Sequence, residues 1–171
     1  MTTSWTFTTE NETQTAALGA ALGRLLPARF VMTLDGDLGA GKTRFVQGLA
    51  TAAGIDRRAV VSPTFALVNE YHGMLADQPR LVYHFDAYRV QGEQEWLDLG
   101  WEDYLAAEAW CVVEWSDRVR GCLPGERLEV RIRAASETVR ELQFIPHGDE
   151  AARIVERLAI STSSGTSRGP S

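Results

Sequence analysis

Lysine is nearly missing from this chain of 171 residues: Lys42 stands alone against sixteen arginines. An ammonium is a compact point charge and a guanidinium a planar fork, so a single surviving lysine points to a position where geometry forbids the exchange. Cysteine is equally scarce. Cys111 and Cys122 carry no C-x-x-C spacing, which excludes a disulfide framework and leaves them as packing residues in a reduced compartment. His72, His84 and His147 fall at no metal-ligand spacing, and no apolar run approaches the roughly 18 residues that a membrane helix needs. The first ten residues lack a basic stretch leading into an apolar run, so no secretory signal is expected and cytoplasmic residence is the default. Positive charge is in deficit too: 23 acidic against 17 basic residues give a net charge of -6, a poor field for direct nucleic-acid binding.

Apolar residues make up 44% of the chain, enough for an ordinary core in one domain, expected over residues 1–160. The serine- and glycine-rich segment 161–171 offers little to bury and reads as a disordered tail. Helical periodicity marks 12–26, the stretch from Phe45 to Gly54, and 151–159. Apolar or alternating runs mark strands at 30–34, 65–71, 81–85, 110–113, 127–134 and 138–145, and a carboxylate-rich helical stretch runs from Glu93 to Glu108. Strands alternating with helices, followed by a late hairpin, predict an α/β fold whose mainly parallel sheet is flanked by helices and ends in a C-terminal antiparallel edge.

Between the strand ending at Leu34 and the helix beginning near Phe45 lies GDLGAGKT, residues 36–43, which fits G-x-x-x-x-G-K-[ST] in the context that motif requires. Glycines let successive N–H groups turn inward around a phosphate, and the helix N-terminus adds positive potential. Lys42 can reach the β and γ oxygens and the Thr43 hydroxyl can ligate Mg²⁺. A P-loop NTPase also needs a carboxylate on a neighbouring strand. Two apolar runs end in one: Trp110–Glu114 and Tyr83–Asp86, each placing its acid at the carboxyl edge of the sheet where ligands bind. Ser62-Pro63-Thr64-Phe65 follows about twenty residues after the loop and resembles a switch, with the Thr64 hydroxyl placed to sense a γ-phosphate. Without a second lysine the guanine-reading Asn/Thr-Lys-x-Asp motif cannot form, and an ABC signature of the Leu-Ser-Gly-Gly-Gln kind is missing.

GDLGAGKT at 36–43, SPTF at 62–65 with LVNEY at 67–71, YHFDAYR at 83–89, LDLGWEDYL at 97–105 and CVVEW at 111–115 together resemble the bacterial TsaE family. The likeness extends from about Thr15 to Ile145. It implies the ATPase component of tRNA threonylcarbamoyladenosine biosynthesis, which binds ATP with Mg²⁺ and works with the TsaD and TsaB proteins, meeting tRNA only through them. Hydrolysis would reset that complex between turnovers. Carried over residue by residue, the resemblance expects Leu38, Gly39, Ala40, Gly41, Lys42 and Thr43 to cradle the phosphates and Thr43 with Glu114 to ligate Mg²⁺. Asp86 would support hydrolysis, Thr64 would be the switch hydroxyl, Glu12 or Thr15 would contact the nucleotide, and Trp115 would line the site. The chain departs from the family pattern at Arg44, where a second threonine is frequent, at Ala87, where leucine is usual, and at Ser116, which replaces a frequent proline.

Two other readings use the same motif. A small-molecule kinase would add a lid with arginines, for which Arg118 and Arg120 are available; a nucleotide-gated binding protein would keep Asp86 and Glu114 as structural groups. No basic residue lies between Arg89 and Arg118 while eight acidic ones do; such a surface would repel RNA and steer toward a basic protein partner.

Overall fold

The computed structural model describes residues 3–165. Seven strands form one sheet in the order β1-β7-β6-β2-β5-β4-β3: β1 (Trp5–Thr9), β2 (Phe30–Asp35), β3 (Val68–Leu75), β4 (Gln78–Asp86), β5 (Ala109–Glu114), β6 (Arg127–Ala134) and β7 (Arg140–His147). The pairs β6/β2, β2/β5 and β5/β4 are parallel. The outer pairs are antiparallel on both sides, β3 on β4 and β7 and β1 beyond β6. The sequence pattern announces the central strands and the late hairpin, not the edge strand β1. Every residue of β5 is buried and all but the last of β2, as strands covered on both faces must be, whereas β6 and β7 alternate because one face is covered.

Helices α1 (Glu12–Gly23), α2 (Lys42–Ala52) and α5 (Asp149–Gly165) accompany the larger core, in which Leu22, Leu34, Phe45, Leu49, Leu128 and Leu158 are fully buried. The Asn11 side chain caps α1 by accepting the Gln14 N–H at 2.9 Å. α1 and α2 approach closely because glycine stands at the contact: a Cβ on Gly48 would lie 1.9 Å from the Ala16 carbonyl oxygen. The opposite face of β4 and β5 carries a second cluster, built on Phe85, Trp96, Trp101, Cys111 and Val113. Burial pushes the Cys111 thiol up to about 12, which leaves it an inert packing group.

Three sequence expectations are corrected. The helix expected over 93–108 is two short ones, α3 (Glu93–Asp98) and α4 (Trp101–Ala106), because Gly100 takes a left-handed conformation at φ +86°. The break turns Trp96 and Trp101 inward, ring centroids 5.0 Å apart, so both belong to the core. The expected strand 65–71 begins only at Val68; Phe65 is 83% exposed and Leu67 lies at φ +65°. α5 continues through Gly165, so 161–165 are helical, with Ser161, Thr162, Ser163 and Ser164 hydroxyls bonded to carbonyls three or four residues back. The rest of the expected tail, 166–171, lies outside the described residues.

Candidate functional site

Parallel strands align their carboxyl ends, and here three adjacent strands end in the groups that matter. β2 runs into the glycine loop, β4 ends at Asp86 and β5 at Glu114, with Leu34 beside Glu114 and Glu114 beside Asp86 in register. Above these ends opens a cleft of about 570 Å³. It is lined by Glu12, Thr15, Leu38, Gly39, Gly41, Lys42, Thr43, Thr64, Asp86, Glu114 and Trp115, all expected from sequence. Ala40 is the exception. Its side chain is buried in the core and its N–H is taken by the Asp37 carbonyl at 3.0 Å, so it shapes the loop from beneath and does not face the cleft.

Gly39 and Gly41 supply the turn, at φ +79° and +106°, and Gly41 is the N-cap of α2. That places the helix N-terminal N–H groups and the Thr43 side chain at the cleft. The Lys42 ammonium donates to the carbonyls of Gly36 and, at 3.1 Å, of Asp37, and lies 4.6 Å from the centroid of Trp115. Trp115 is held at φ +57° with its ring tilted 55° to that of Tyr88, centroids 5.0 Å apart, and the Arg118 guanidinium lies 5.4 Å from the Tyr88 ring centroid. Asp86 accepts the Tyr88 N–H at 2.9 Å and the Ser62 hydroxyl at 3.4 Å. Glu114 is 3% exposed and shares a 2.8 Å hydrogen bond with Nε2 of the fully buried His84. At the rim, Glu12 pairs with Arg44 at 2.9 Å, while the Thr15 hydroxyl lies 2.7 Å from that of Thr9.

Carboxylate and hydroxyl oxygens are the donors that a hard cation of the Mg²⁺ type takes, and such an ion uses one or two protein carboxylates and leaves the remaining positions to phosphate and water. Thr43, Asp86 and Glu114 fit that demand. Among the described residues no group of three or more His, Cys, Asp and Glu side chains converges into a closed cage.

Sequence reasoning did not single out Tyr88, Arg89, Thr138 and Arg140 in the cleft wall, nor His84 behind it. His84 was within reach, since strand alternation puts it on the same face as Asp86 two residues on. Thr138 and Arg140 carry no local signal; the strand order alone brings them to Gly39, whose carbonyl Arg140 reaches at 3.3 Å.

Comparison with known proteins accords with this geometry. The family model described as "Threonylcarbamoyl adenosine biosynthesis protein TsaE" matches residues 9–142. The chain belongs to the TsaE family. It is 38% identical over 152 residues to the tRNA threonylcarbamoyladenosine biosynthesis protein TsaE of Bacillus subtilis, covering 88% of this chain and 91% of that one. The TsaE protein of Streptomyces coelicolor is 42% identical over 132 residues, covering 75% and 85%. The crystal structure of YdiB from Bacillus subtilis superposes with a TM-score of 0.77 at 31% identity, covering 95% of this chain and 98% of that one. The P-loop fold and the parallel core with antiparallel flanks are thus those of TsaE proteins.

Proposed function

We propose that this TsaE protein binds ATP with Mg²⁺ and hydrolyses it as a component of the cytoplasmic machinery that makes threonylcarbamoyladenosine in tRNA. The observation that carries the reading is the convergence of Lys42, Thr43, Asp86 and Glu114 on one cleft at three adjacent strand ends. Lys42 and the α2 N-terminus would neutralise phosphate oxygens, and Thr43 with Glu114 would hold the cation. Bound Mg²⁺ would supply charge neutralisation between the β- and γ-phosphates. Asp86 would orient the attacking water, Thr64 would answer to the γ-phosphate, and Glu12 or Thr15 would contact the rest of the nucleotide. In that step the water oxygen bonds to the γ-phosphorus, the bond to the β-bridging oxygen breaks, and ADP and phosphate leave.

Turnover would reset the TsaD and TsaB partners between rounds of threonylcarbamoyl transfer, with tRNA met only through them. The acidic run between Arg89 and Arg118 supports steering toward a basic protein partner. The kinase reading loses its lid: neither Arg118 nor Arg120 lines the cleft, Arg118 lying over Tyr88 and Arg120 pairing with Asp117.

The test is Mg²⁺-dependent ATP hydrolysis by the purified chain, alone and with TsaB and TsaD, with Glu114→Ala as control. Slow turnover that the partners stimulate and the substitution abolishes is the expected result. Phosphate transfer to an added metabolite, without stimulation by TsaB and TsaD, would overturn it.

A further inference from the structure

Glu114 reaches the cleft from the last position of β5, and a carboxylate at the end of a strand swings freely about three side-chain bonds unless something holds it. His84 lies one strand over on β4, two residues before Asp86, with none of its surface exposed. Its Nε2 stands 2.8 Å from Oε1 of Glu114. An ionised carboxylate only accepts, so the proton of this bond belongs to Nε2. The ring's other nitrogen, Nδ1, has no partner among the described residues, and leaving a buried polar atom unpaired lowers stability. A fully buried imidazole with one unanswered nitrogen is poor core material. Its single polar contact is with Glu114, whose other oxygen accepts no hydrogen bond from the described residues while the residue itself lines the cleft.

We infer that His84 is a positioning residue that fixes the Glu114 carboxylate, tying one oxygen to β4 so that the other is presented to a divalent cation in the cleft. The inference rests on the reading of Glu114 as a cation ligand. Groups that hold a metal-ligating side chain in this way typically set metal affinity by 10- to 100-fold when removed. Asp86, on the same strand face, is kept apart by its own bonds to Tyr88 and Ser62, so loss of His84 should act on Glu114 and leave Asp86 in place.

The experiment is a Mg²⁺ titration of nucleotide binding by calorimetry, with ADP affinity in the absence of Mg²⁺ measured alongside. His84→Leu is expected to weaken Mg²⁺ by about 10- to 100-fold while Mg²⁺-free ADP affinity stays as in the parent. His84→Gln, whose amide nitrogen can stand near the place of Nε2, is expected to recover most of the loss. His84→Asn, too short to reach Glu114, is expected to recover none. These two polar variants keep the test decisive if His84→Leu folds poorly. A normal Mg²⁺ dependence in His84→Asn, with Glu114→Gln strongly impaired, overturns the positioning role and spares the ligand. Should Glu114→Gln itself titrate normally, the ligand reading falls, and the positioning role with it.

Discussion

Ser116 holds both carboxylate oxygens of Asp35, its N–H donating to one at 2.8 Å and its hydroxyl to the other at 2.6 Å. The bond pair joins the end of β2, where the phosphate loop begins, to the segment just after Glu114 and Trp115. A proline at this position would offer neither donor. Trp115, just before it, has a left-handed backbone that a following proline disfavours, so Ser116→Pro removes both bonds and adds strain at the cleft wall. Thermal or denaturant unfolding of this variant is expected to show a loss on the order of 3 kcal/mol at neutral pH, from a half-buried carboxylate left without donors together with that strain. Ser116→Ala should lose less, since the N–H remains.

The same carboxylate gives a pH signature. Burial raises the Asp35 pKa above its ordinary value of 3.8, against the opposing pull of the two Ser116 bonds. A raised acid favours the folded state while protonated, and this contribution disappears as pH climbs from about 3.8 through the folded-state value. Asp35→Asn removes the titration and can keep the contact to the Ser116 N–H. Its stability relative to the parent is therefore expected to increase as pH rises across this window. Equal pH profiles for the two proteins would contradict the assignment.

Gly48 is the position where α2 can least tolerate a side chain. Its would-be Cβ meets the Ala16 carbonyl at 1.9 Å, a backbone atom that cannot rotate away. Gly48→Ala should raise helix propensity yet lower stability by roughly 2 kcal/mol or more, because the helices must separate. As α2 begins at Lys42, nucleotide affinity should fall with it, and calorimetric titration of the variant would register both effects.

Arg140 lies against Gly41 at the cleft, and its guanidinium donates only to backbone carbonyls, those of Ser136, Glu137, Val139 and Gly39. No carboxylate neutralises it among the described residues, unlike Arg44, which Glu12 holds. Arg140→Gln is expected to weaken ATP and ADP binding alike by about tenfold, the scale of one charge-assisted hydrogen bond. An unchanged dissociation constant for both nucleotides would remove Arg140 from the binding wall.

The centre of the parallel core was legible because β2 and β5 are almost wholly apolar and β4 turns buried toward its end, each closing abruptly in an acid, Asp35, Glu114 and Asp86, a pattern that states both burial and direction. The flanks were not. β1, with its sequence WTFTT, has strand-forming residues in alternation, but it is an edge strand only five residues long whose partner β7 lies over 130 residues away, and so short a run was passed over. The β3–β4 hairpin turns through Ala76 and Asp77, both at positive φ, without the Asn-Gly or Asp-Gly pair that announces such turns. In the site, five of the six loop residues expected at the phosphates, 38–43, line the cleft. Ala40 escaped because a pattern specifies which residues may stand in a loop and not which of them face inward. The pair between His84 and Glu114 depends on the register of two strands, which single-chain periodicity does not encode.

Lys42 is wedged between two loop carbonyls and an indole face, and no other lysine exists anywhere in the chain. A lysine-directed protease therefore has a single place to cut, inside the phosphate loop, and an acylating reagent a single side-chain amine to modify. In the folded chain that target is only 7% exposed, so either reagent reaches it when the phosphate loop opens, and a ligand that steadies the loop slows both reactions. Occupancy of the site can accordingly be followed in a crude mixture by mass, through the survival of the intact chain, without a labelled nucleotide or any measure of turnover.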